Sequence, residues 1–589
     1  MTAALTQRPL HEHHFTTHDG VALFYRHWPA TTTPRRGTLV LFHRGHEHAG
    51  RMAHLVDELD LPGFDVFAWD ARGHGRSPGA RGHSPSFGTS VRDIQTFMAH
   101  LAADHQVRPE DTFVIAQSVG AVLVSTWVHD YAPRLRGMTL ASPAFRVKLY
   151  VPFARSGIAL MQALRGPFFV NSYVKARFLT HDPDRIASYG TDPLITRPIA
   201  SHILLGLYEA AERVVADAAA ITVPTQLLVS GADWVVHAKP QHRFFERLGS
   251  PVKECHVLPG FYHDTLGERD RAPVVAKIRT FIEQRFAEPV RVTDLRDADA
   301  RGFTHDESRA LAEPLPPASP RGLYWQLTRK SLQWAAPLAG GLRVGNATGH
   351  DSGSTLDYVY RNVPQGAGPI GRAMDKAYLN SIGWRGIRQR KLHVEELLQL
   401  AMRTARDNGL PLNLIDIAAG HGRYVLDAAD HGPLRPDSIR LRDYSDINVR
   451  DGSTLIVSRG LQQIASFEKA DAFDRESLAR ASPTPTVGVV SGLYELFPDN
   501  ALVERSLAGL AEAMPPGACL VYTGQPWHPQ LELIARALTS HRGGAAWVMR
   551  RRTQQEMDQL VAAAGFRKLT QRIDEWGIFT VSLAVRESR

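Results

Sequence analysis

FVIAQSVGA, residues 113–121, is the segment that best indicates the fold of the first half of the chain. Its apolar run is typical of a buried strand, Ser118 follows directly, and the helical pattern VLVSTWVHDYA comes next. A nucleophile elbow needs small residues two positions before and after the serine, because its turn from strand to helix is strained and tight. Ala116 and Gly120 occupy those positions, so the stretch predicts a nucleophilic serine. A serine that only caps the helix is the alternative interpretation.

The segments on either side of this stretch alternate short apolar runs with helical patterns. Such alternation is typical of a mostly parallel sheet, and runs that are apolar almost throughout indicate strands covered on both faces. Strands are predicted at 37–43, 64–70, 111–118, 137–143, 225–231 and 253–260. Residues 146–215 interrupt the rhythm with helical patterns. We therefore predict an α/β domain over 1–286 with a helical cap at 146–215.

Two further residues complete a catalytic arrangement with the serine. A serine hydroxyl needs a neighbouring base, and that base needs an acid to orient it. Asp233 and His263 each follow a predicted strand and stand in the chain order serine, acid, histidine. We predict a triad of Ser118, Asp233 and His263. The alternatives are Asp264 as the acid, and His237 or His256 as the base.

Two loop motifs connect this half to a known family. HRGHEHAGR (43–51) and DARGHGRS (70–77) resemble segments of the monoglyceride lipase and lysophospholipase L2 group of α/β-hydrolases, with Arg44 where that group usually has glycine. The resemblance implies the α/β-hydrolase fold and hydrolysis of a lipid-like acyl ester. It also implies an oxyanion hole built from the backbone amides of Gly45 and Val119. It gives a structural role to three residues of the second motif, Asp70, His74 and Ser77.

The second half contains a strand–turn–helix pattern of its own. LNLIDIAAGHGRYVLDA (412–428) reads as a strand ending in Asp416, a turn with Gly420 and Gly422, and a helix. Glycines at such a turn let the backbone approach a ligand closely. The next strand ends in Asp443, about twenty residues on, where a carboxylate meets ribose hydroxyls in a dinucleotide-type site. A tight turn without a ligand is the alternative.

The turn D-x-A-A-G-x-G resembles that of the class I S-adenosylmethionine methyltransferases, and differs from the G-x-G-x-x-G of dinucleotide-binding folds. The resemblance implies a Rossmann-like class I methyltransferase fold over 366–589, with S-adenosylmethionine as cofactor. It places Gly420 and Gly422 at the methionine moiety, Asp443 at the ribose, and Asp471 with Ala472 at the adenine. The implied site is completed by Asp416, Ala418 and Ser491. The pattern at 553–569 resembles the helix before the last hairpin of that fold.

Residues 287–365 show no clear periodicity. EPLPPASPRG (313–322) is rich in proline, which favours a stiff spacer over core packing. We predict a linker here, with Trp325 and Trp334 among basic residues.

Composition narrows the functional classes. A chain of 589 residues predicts two large domains, and two cysteines, Cys255 and Cys519, exclude a disulfide framework or a cysteine metal cluster. No metal site is predicted. The chain has neither a signal-peptide pattern nor an apolar run of about 18 residues, so we expect a cytoplasmic protein. A net charge of +8 permits contact with anionic lipid. The apolar and cationic mixture of the cap predicts peripheral contact with the inner face of the membrane, and a lid that only packs on the sheet is the alternative. No nucleic-acid partner is expected.

The two halves together resemble bacterial proteins described as bifunctional α/β-hydrolase and class I methyltransferase. We predict hydrolysis of an acyl ester of a lipid-like or small-molecule substrate, together with methylation of a related molecule. The alternative is a single-activity enzyme whose other half only binds or scaffolds. In that case Ala116 and Arg44 would indicate that the hydrolase half is catalytically inactive.

Overall fold

The structure is a computed structural model that describes residues 8–172 and 174–588. The chain divides between Thr293 and Asp294 into two compact units. Within the described ranges, none of the helices combines the length and the apolar character needed to cross a membrane.

The first unit is built on an eight-stranded sheet in the order β1-β2-β4-β3-β5-β6-β9-β10, and β7 pairs with β8 separately. Its strands are β1 (His11–Thr16), β2 (Ala22–Trp28), β3 (Gly37–Phe42), β4 (Phe64–Trp69), β5 (Thr112–Gln117), β6 (Gly137–Ala141), β7 (Phe169–Asn171), β8 (Pro198–Ala200), β9 (Thr225–Ser230) and β10 (Lys253–Leu258). Its helices are α1 (His54–Glu58), α2 (Phe87–Asp104), α3 (Val119–Tyr131), α4 (Ala154–Arg165), α5 (Pro183–Thr191), α6 (Ser201–Ala216), α7 (Ala238–Arg247) and α8 (Ala272–Ala287).

The pairing of these strands gives the α/β-hydrolase fold. From β4 to β10 neighbouring strands run parallel, whereas β1 and β2 are antiparallel additions at one edge. Every residue of β3, β4, β5 and β9 is buried, as strands covered on both faces must be. The predicted strands are therefore confirmed. The predicted cap contains α4, α5 and α6 with the small β7–β8 sheet.

The second unit has a seven-stranded sheet in the order β13-β12-β11-β14-β15-β17-β16. Its strands are β11 (Asn413–Asp416), β12 (Ser438–Asp443), β13 (Ala465–Lys469), β14 (Val487–Val490), β15 (Cys519–Gly524), β16 (Phe566–Ile573) and β17 (Thr580–Arg586). Its helices are α9 (Phe303–Ala312), α10 (Pro320–Ala335), α11 (Gly340–Thr348), α12 (Gly353–Arg361), α13 (Gly368–Leu379), α14 (Ile382–Asp407), α15 (Arg423–His431), α16 (Asp446–Ser458), α17 (Arg475–Ala479), α18 (Asn500–Ala513), α19 (Leu531–Ala537) and α20 (Gln554–Ala563).

This sheet has the mixed arrangement that the resemblance to class I methyltransferases implies. Its first five strands are parallel, and β17 is antiparallel to both β15 and β16, so the chain ends in the predicted hairpin. The strand order reverses direction at β11 and β14. In open α/β sheets the crevice at such a switch point, beyond the carboxyl ends of the strands, is where ligands bind.

The predicted linker at 287–365 is corrected by the structure. Four helices, α9 to α12, lie in this segment, and it belongs to the second unit from Asp294 onward. The proline-rich stretch leads into α10, where Ser319 accepts a hydrogen bond from the Gly322 amide and Pro320 is the first helical residue. Proline is compatible with that position because its missing N–H would have no partner in the first turn. The spacer motif therefore marks the start of a helix.

Candidate functional sites

Ser118 lies in the sharp turn between β5 and α3. Its backbone has φ 55° and ψ −116°, a strained conformation that non-glycine residues rarely adopt. The neighbouring glycine is required by packing, since a Cβ at Gly120 would lie 2.4 Å from the His43 carbonyl oxygen. Ala116 is fully buried in β5. The small residues predicted around the serine thus allow the elbow to form.

The structure brings the three predicted triad residues together. The Ser118 Oγ is 2.7 Å from Nε2 of His263, and Nδ1 of the same ring is 2.8 Å from Oδ2 of Asp233. With a carboxylate at Nδ1, the neutral ring keeps its proton there and leaves Nε2 free to accept the serine proton. All three side chains are buried.

Asp233 is held as a carboxylate by its surroundings. Burial by itself would raise the pKa of Asp233. The electrostatic interaction and hydrogen bond with the His263 ring, together with backbone hydrogen bonds, outweigh burial and lower the pKa of Asp233 below its usual value. The amides of Val235 and Val236 add to this by donating to Oδ1, at 2.7 and 2.9 Å. An ionised acid at this position can stabilise the imidazolium that forms when the serine is deprotonated.

The alternative acid and one alternative base, His256, have other partners. Asp264 accepts from Arg185 at 2.8 Å and from Gln117 at 3.1 Å, whereas the two ring nitrogens of His263 bond Asp233 and Ser118. His256 bonds Glu254 at 3.0 Å. The geometry therefore favours Asp233 with His263 over the alternatives.

The predicted oxyanion-hole residues are neighbours in space. A Cβ at Gly45 would lie 3.0 Å from Cγ2 of Val119, so glycine keeps the gap between them open. Val119 is the first residue of α3, where amides have no acceptor within the helix. Arg44 stands where the family usually has glycine, and its guanidinium donates a hydrogen bond to Oε1 of Glu47 at 2.6 Å. The role of the two amides stays a prediction.

The second loop motif has the structural role that the resemblance implies. The Asp70 carboxylate accepts from the amides of Ala49 at 2.7 Å and Arg76 at 2.8 Å. Ser77 donates to the Asp70 carbonyl at 2.6 Å, and His74 bonds a backbone carbonyl of the same loop at 3.0 Å. These bonds stabilise the conformation of the loop. Asp70, His74 and Ser77 are not part of the hydrogen-bonded chain of Ser118, His263 and Asp233.

A cleft of about 880 Å³ opens in the second unit at the switch point of the sheet. Seven of the eight predicted cofactor residues line it: Ala418, Gly420, Gly422, Asp443, Asp471, Ala472 and Ser491. The eighth is Asp416, which is not among the lining residues and is only 1% exposed. The structure therefore brings seven of the predicted residues to one cleft and buries the eighth beneath it.

Asp416 supports the turn from below the surface of the cleft. Its Oδ1 accepts from the Ala418 amide at 3.3 Å, and its Oδ2 has no hydrogen-bond partner among the described residues. Burial raises the pKa of Asp416 to about 7. A carboxyl group in this environment holds the turn and is not available to contact a cofactor directly.

The two predicted glycines serve different purposes. Both have positive φ, 57° at Gly420 and 72° at Gly422. A Cβ at Gly420 would lie 3.3 Å from the Cα of Gly353 at the start of α12, whereas one at Gly422 would lie 2.4 Å from Cδ1 of Leu441 in β12. Gly420 thus keeps the turn close to the opposite wall of the cleft, and Gly422 lets the turn pack on the sheet.

Asp443 lies at the end of β12, on the wall of the cleft. Its carboxylate accepts from the Gly420 amide at 3.0 Å, the Ser445 amide at 2.9 Å and the Asn448 side chain at 3.1 Å. Burial raises the pKa of Asp443, and these hydrogen bonds oppose the rise. A carboxylate offers about four lone-pair sites, so room remains for a further donor such as a ribose hydroxyl.

One wall of the cleft comes from residues that the sequence analysis assigned to the linker. Helix α12 begins there, with Ser352 accepting from the Thr355 amide at 3.1 Å, and Gly353 and Asp357 line the cleft. The sequence contained a signal for this helix, since a serine before a run with helical spacing is typical of an N-cap. The size of the cleft, its open glycine turn and the acid at the end of β12 fit an adenosyl cofactor such as S-adenosylmethionine.

The second unit matches a known protein family. A family model described as "Putative methyltransferase" matches residues 278–586, more than half of the chain. The chain belongs to this family. A second model, described as "Serine aminopeptidase, S33", matches residues 33–270. We accordingly call the two parts the hydrolase unit and the methyltransferase unit.

The similar proteins follow the same division. Uncharacterized protein YnbC of Escherichia coli is 57% identical over 575 residues, a match that covers 98% of each chain. Monoacylglycerol lipase of Mycolicibacterium smegmatis is 28% identical over 272 residues, covering 46% of this chain and 96% of the lipase. The crystal structure of Paleococcus ferrophilus monoacylglycerol lipase has 25% identity and a TM-score of 0.40, covering 47% of this chain and 99% of the other.

Proposed function

We propose that the chain is a bifunctional enzyme, a serine hydrolase of lipid-like acyl esters joined to an S-adenosylmethionine-dependent methyltransferase. The observation that carries the hydrolase proposal is the continuous hydrogen-bonded chain from Ser118 through His263 to Asp233. Serine attacks the ester carbonyl, His263 takes the hydroxyl proton and passes it to the leaving alcohol, and an acyl-enzyme forms. Water, activated by the same histidine, then releases the acid.

The lipid-like character of the ester is supported by the cap. Helix α4 has no buried residue, and Phe153 before it is 87% exposed. Leu160 and Leu164 are also largely exposed, with Arg155 and Arg165 at either end of the helix. Apolar residues flanked by cations suit a helix that lies on an anionic membrane surface. A lipase name among the similar proteins points in the same direction.

The methyltransferase proposal rests on the cleft at the switch point. Gly420, Asp443, Asp471 and Ala472, which the class I resemblance implies as cofactor residues, all line it, and α12 contributes to another wall. When bound, S-adenosylmethionine supplies an electrophilic methyl group. The residues of this chain would bind and align the reactants, which is the main contribution of protein to such a displacement.

Activity-based labelling tests the hydrolase half. A fluorophosphonate probe is expected to label the full chain at Ser118, and Ser118→Ala is expected to lose both labelling and hydrolysis of monooleoylglycerol, by several orders of magnitude. Ser125→Ala is a matched control, because Ser125 lies two turns along α3 and donates to the Ala121 carbonyl. Full hydrolysis by Ser118→Ala would remove the serine from the mechanism. Hydrolysis of amide but not ester substrates would redirect the proposal toward a peptidase.

A further inference from the structure

A second, smaller chamber adjoins the cofactor cleft of the methyltransferase unit. It encloses about 240 Å³ and shares four wall residues with the cleft: Asp351, Leu356, Gly492 and Leu496. Most of its lining surface is apolar, and buried side chains contribute to it, among them Trp384, Ile387, Ile534, Trp547, Met549 and Phe579. A space that adjoins the cofactor site and is mostly apolar, with a few polar groups, is suited to hold the second reactant of a transfer reaction.

We propose that this chamber binds the methyl acceptor, a neutral, apolar small molecule of about ten non-hydrogen atoms that presents a hydroxyl group. The size follows from a comparison, because a dry apolar cavity of about 150 Å³ accepts benzene. This inference rests on the proposed methyltransferase function, and it adds the chemical class of the acceptor.

The preference for a hydroxyl comes from two buried polar groups on the chamber wall. Glu495 is 6% exposed, its Oε1 accepts from Arg390 at 2.9 Å, and its Oε2 has no partner among the described residues. Gln525 is 3% exposed, and its Nε2 likewise has no partner in the part of the chain that the structure describes. Unsatisfied buried polar groups are costly. A ligand hydroxyl can both donate to a carboxylate and accept from an amide, so it suits this wall.

The preference for a neutral molecule comes from the charges at the chamber. Arg390 is buried and its charge is already balanced by Glu495, while its Nε has no hydrogen-bond partner among the described residues. His528 also lines the chamber, and burial lowers its pKa to about 4, which leaves the ring neutral near pH 7. Its Nδ1 accepts from the Gln530 amide at 3.0 Å, so Nε2 carries the ring proton. A carboxylate or phosphate would lose its hydration here and would meet only a cation whose charge Glu495 already balances, beside the Glu495 carboxylate itself.

The transfer step balances with these groups. The acceptor oxygen forms a bond to the methyl carbon, and the bond between that carbon and the sulfonium sulfur breaks with its electron pair left on sulfur. The hydroxyl proton passes to the Glu495 carboxylate. The products are a methyl ether, a neutral thioether and a protonated Glu495, which returns its proton to water.

The test uses 2-naphthol as a probe, since it has eleven non-hydrogen atoms and one hydroxyl group, and the full chain as receptor. Calorimetry is expected to show 2-naphthol binding in the presence of S-adenosylhomocysteine, at least tenfold tighter than 2-naphthoate. Ile387→Trp should fill the chamber and abolish this binding. Leu392→Trp, on the exposed face of the same helix, is the matched control and should leave it unchanged. Both variants should keep their affinity for S-adenosylhomocysteine.

Two further variants separate binding from folding. Gln525→Met removes an unsatisfied amide, so it should raise the unfolding temperature of the protein. The same variant should bind 2-naphthol at least fivefold more weakly. If Gln525 were only structural, the unfolding temperature would fall. Glu495→Gln keeps an oxygen for Arg390 but cannot take a proton. Excited 2-naphthol is a strong acid, so we expect naphtholate emission from the wild-type complex and neutral naphthol emission from this variant.

The results separate a failure of the acceptor chamber from a failure of the proposed methyltransferase function. If S-adenosylhomocysteine binds but 2-naphthol does not, or binds equally well to Ile387→Trp, the acceptor chamber is overturned and the cofactor site stands. If S-adenosylhomocysteine itself fails to bind the folded wild-type chain, the methyltransferase proposal fails, and the assignment of the chamber fails with it.

Discussion

The two reactive regions of this chain differ in how their polar groups are satisfied. In the hydrolase unit Ser118, His263 and Asp233 bond one another, so the site is complete within the protein. In the methyltransferase unit Glu495 and Gln525 keep unpartnered buried atoms among the described residues. A site that carries out covalent catalysis with its own side chains can be assembled in advance. A site that brings two ligands together leaves hydrogen bonds for them to complete.

The largest effect is expected when the acid of the triad is replaced. Asp233→Asn is expected to lower kcat for p-nitrophenyl ester hydrolysis by about 10⁴-fold, because the amide favours the wrong ring tautomer of His263. Steady-state kinetics of the full chain measures this. Asp264→Asn is the comparison, since that residue pairs with Arg185 and should affect stability more than kcat. A larger loss of kcat in the Asp264 variant would exchange the roles of the two carboxylates.

The buried carboxyl beneath the cofactor turn should make the stability of the methyltransferase unit depend on pH. Because burial raises the pKa of Asp416 to about 7, the folded state binds a proton that the unfolded state releases. The free energy of unfolding should therefore fall as the pH rises from about 4 to about 7, by up to about 4 kcal/mol at about 1.4 kcal/mol per unit. Asp416→Asn should lack this loss, so denaturant unfolding at pH 8 should find the variant more stable than the wild type. Equal stability at pH 8, with the pH dependence retained in the variant, would contradict this explanation.

Replacing the proposed ribose contact should lower the affinity of the cleft for the cofactor product. Asp443→Asn is expected to cost about ten- to a hundredfold in affinity for S-adenosylhomocysteine, since a charge-assisted hydrogen bond contributes about 1.5–3 kcal/mol. Calorimetry on the full chain measures the change. Asp446→Asn, an exposed neighbour paired with Lys469, is the matched control. An affinity unchanged by Asp443→Asn would keep the cofactor and move its ribose contact elsewhere.

The smallest effect is expected at the cap. Replacing Phe153 and Leu164 with serine should reduce co-sedimentation with vesicles that contain phosphatidylglycerol by about three- to tenfold at low salt, because two exposed apolar side chains no longer insert. Leu10→Ser, an exposed apolar residue outside the cap, is the control. Equal failure of the wild type to bind anionic and neutral vesicles would remove the membrane proposal.

The triad and both sheets could be predicted from the sequence because local patterns encode them. Fully apolar strands and the loops that follow them bring Ser118, Asp233 and His263 to one edge whatever lies between. The linker could not be interpreted in this way. Helix α10 keeps Leu323, Tyr324 and Leu327 exposed, so its apolar residues do not mark the buried face.

Asp416 shows a second limit of sequence analysis. A carboxylate at a strand end can point into the cleft, as Asp443 does, or be buried beneath the turn, as Asp416 is. The difference depends on the strand's twist and on the packing of Tyr424 and neighbouring helices, which strand patterns do not record. The acceptor chamber could not be predicted from local patterns either, because its walls come from segments that are far apart in the sequence.

The proposed function requires that one chain carries two independent sites. The most direct test is to titrate S-adenosylhomocysteine into the full chain by calorimetry, before and after complete reaction of Ser118 with a fluorophosphonate. We predict one labelled serine per chain, lost in Ser118→Ala, and one S-adenosylhomocysteine site whose affinity is the same before and after labelling. Failure of the folded chain to react at Ser118, or to bind S-adenosylhomocysteine at high micromolar concentration, would contradict the claim and leave a single-activity enzyme.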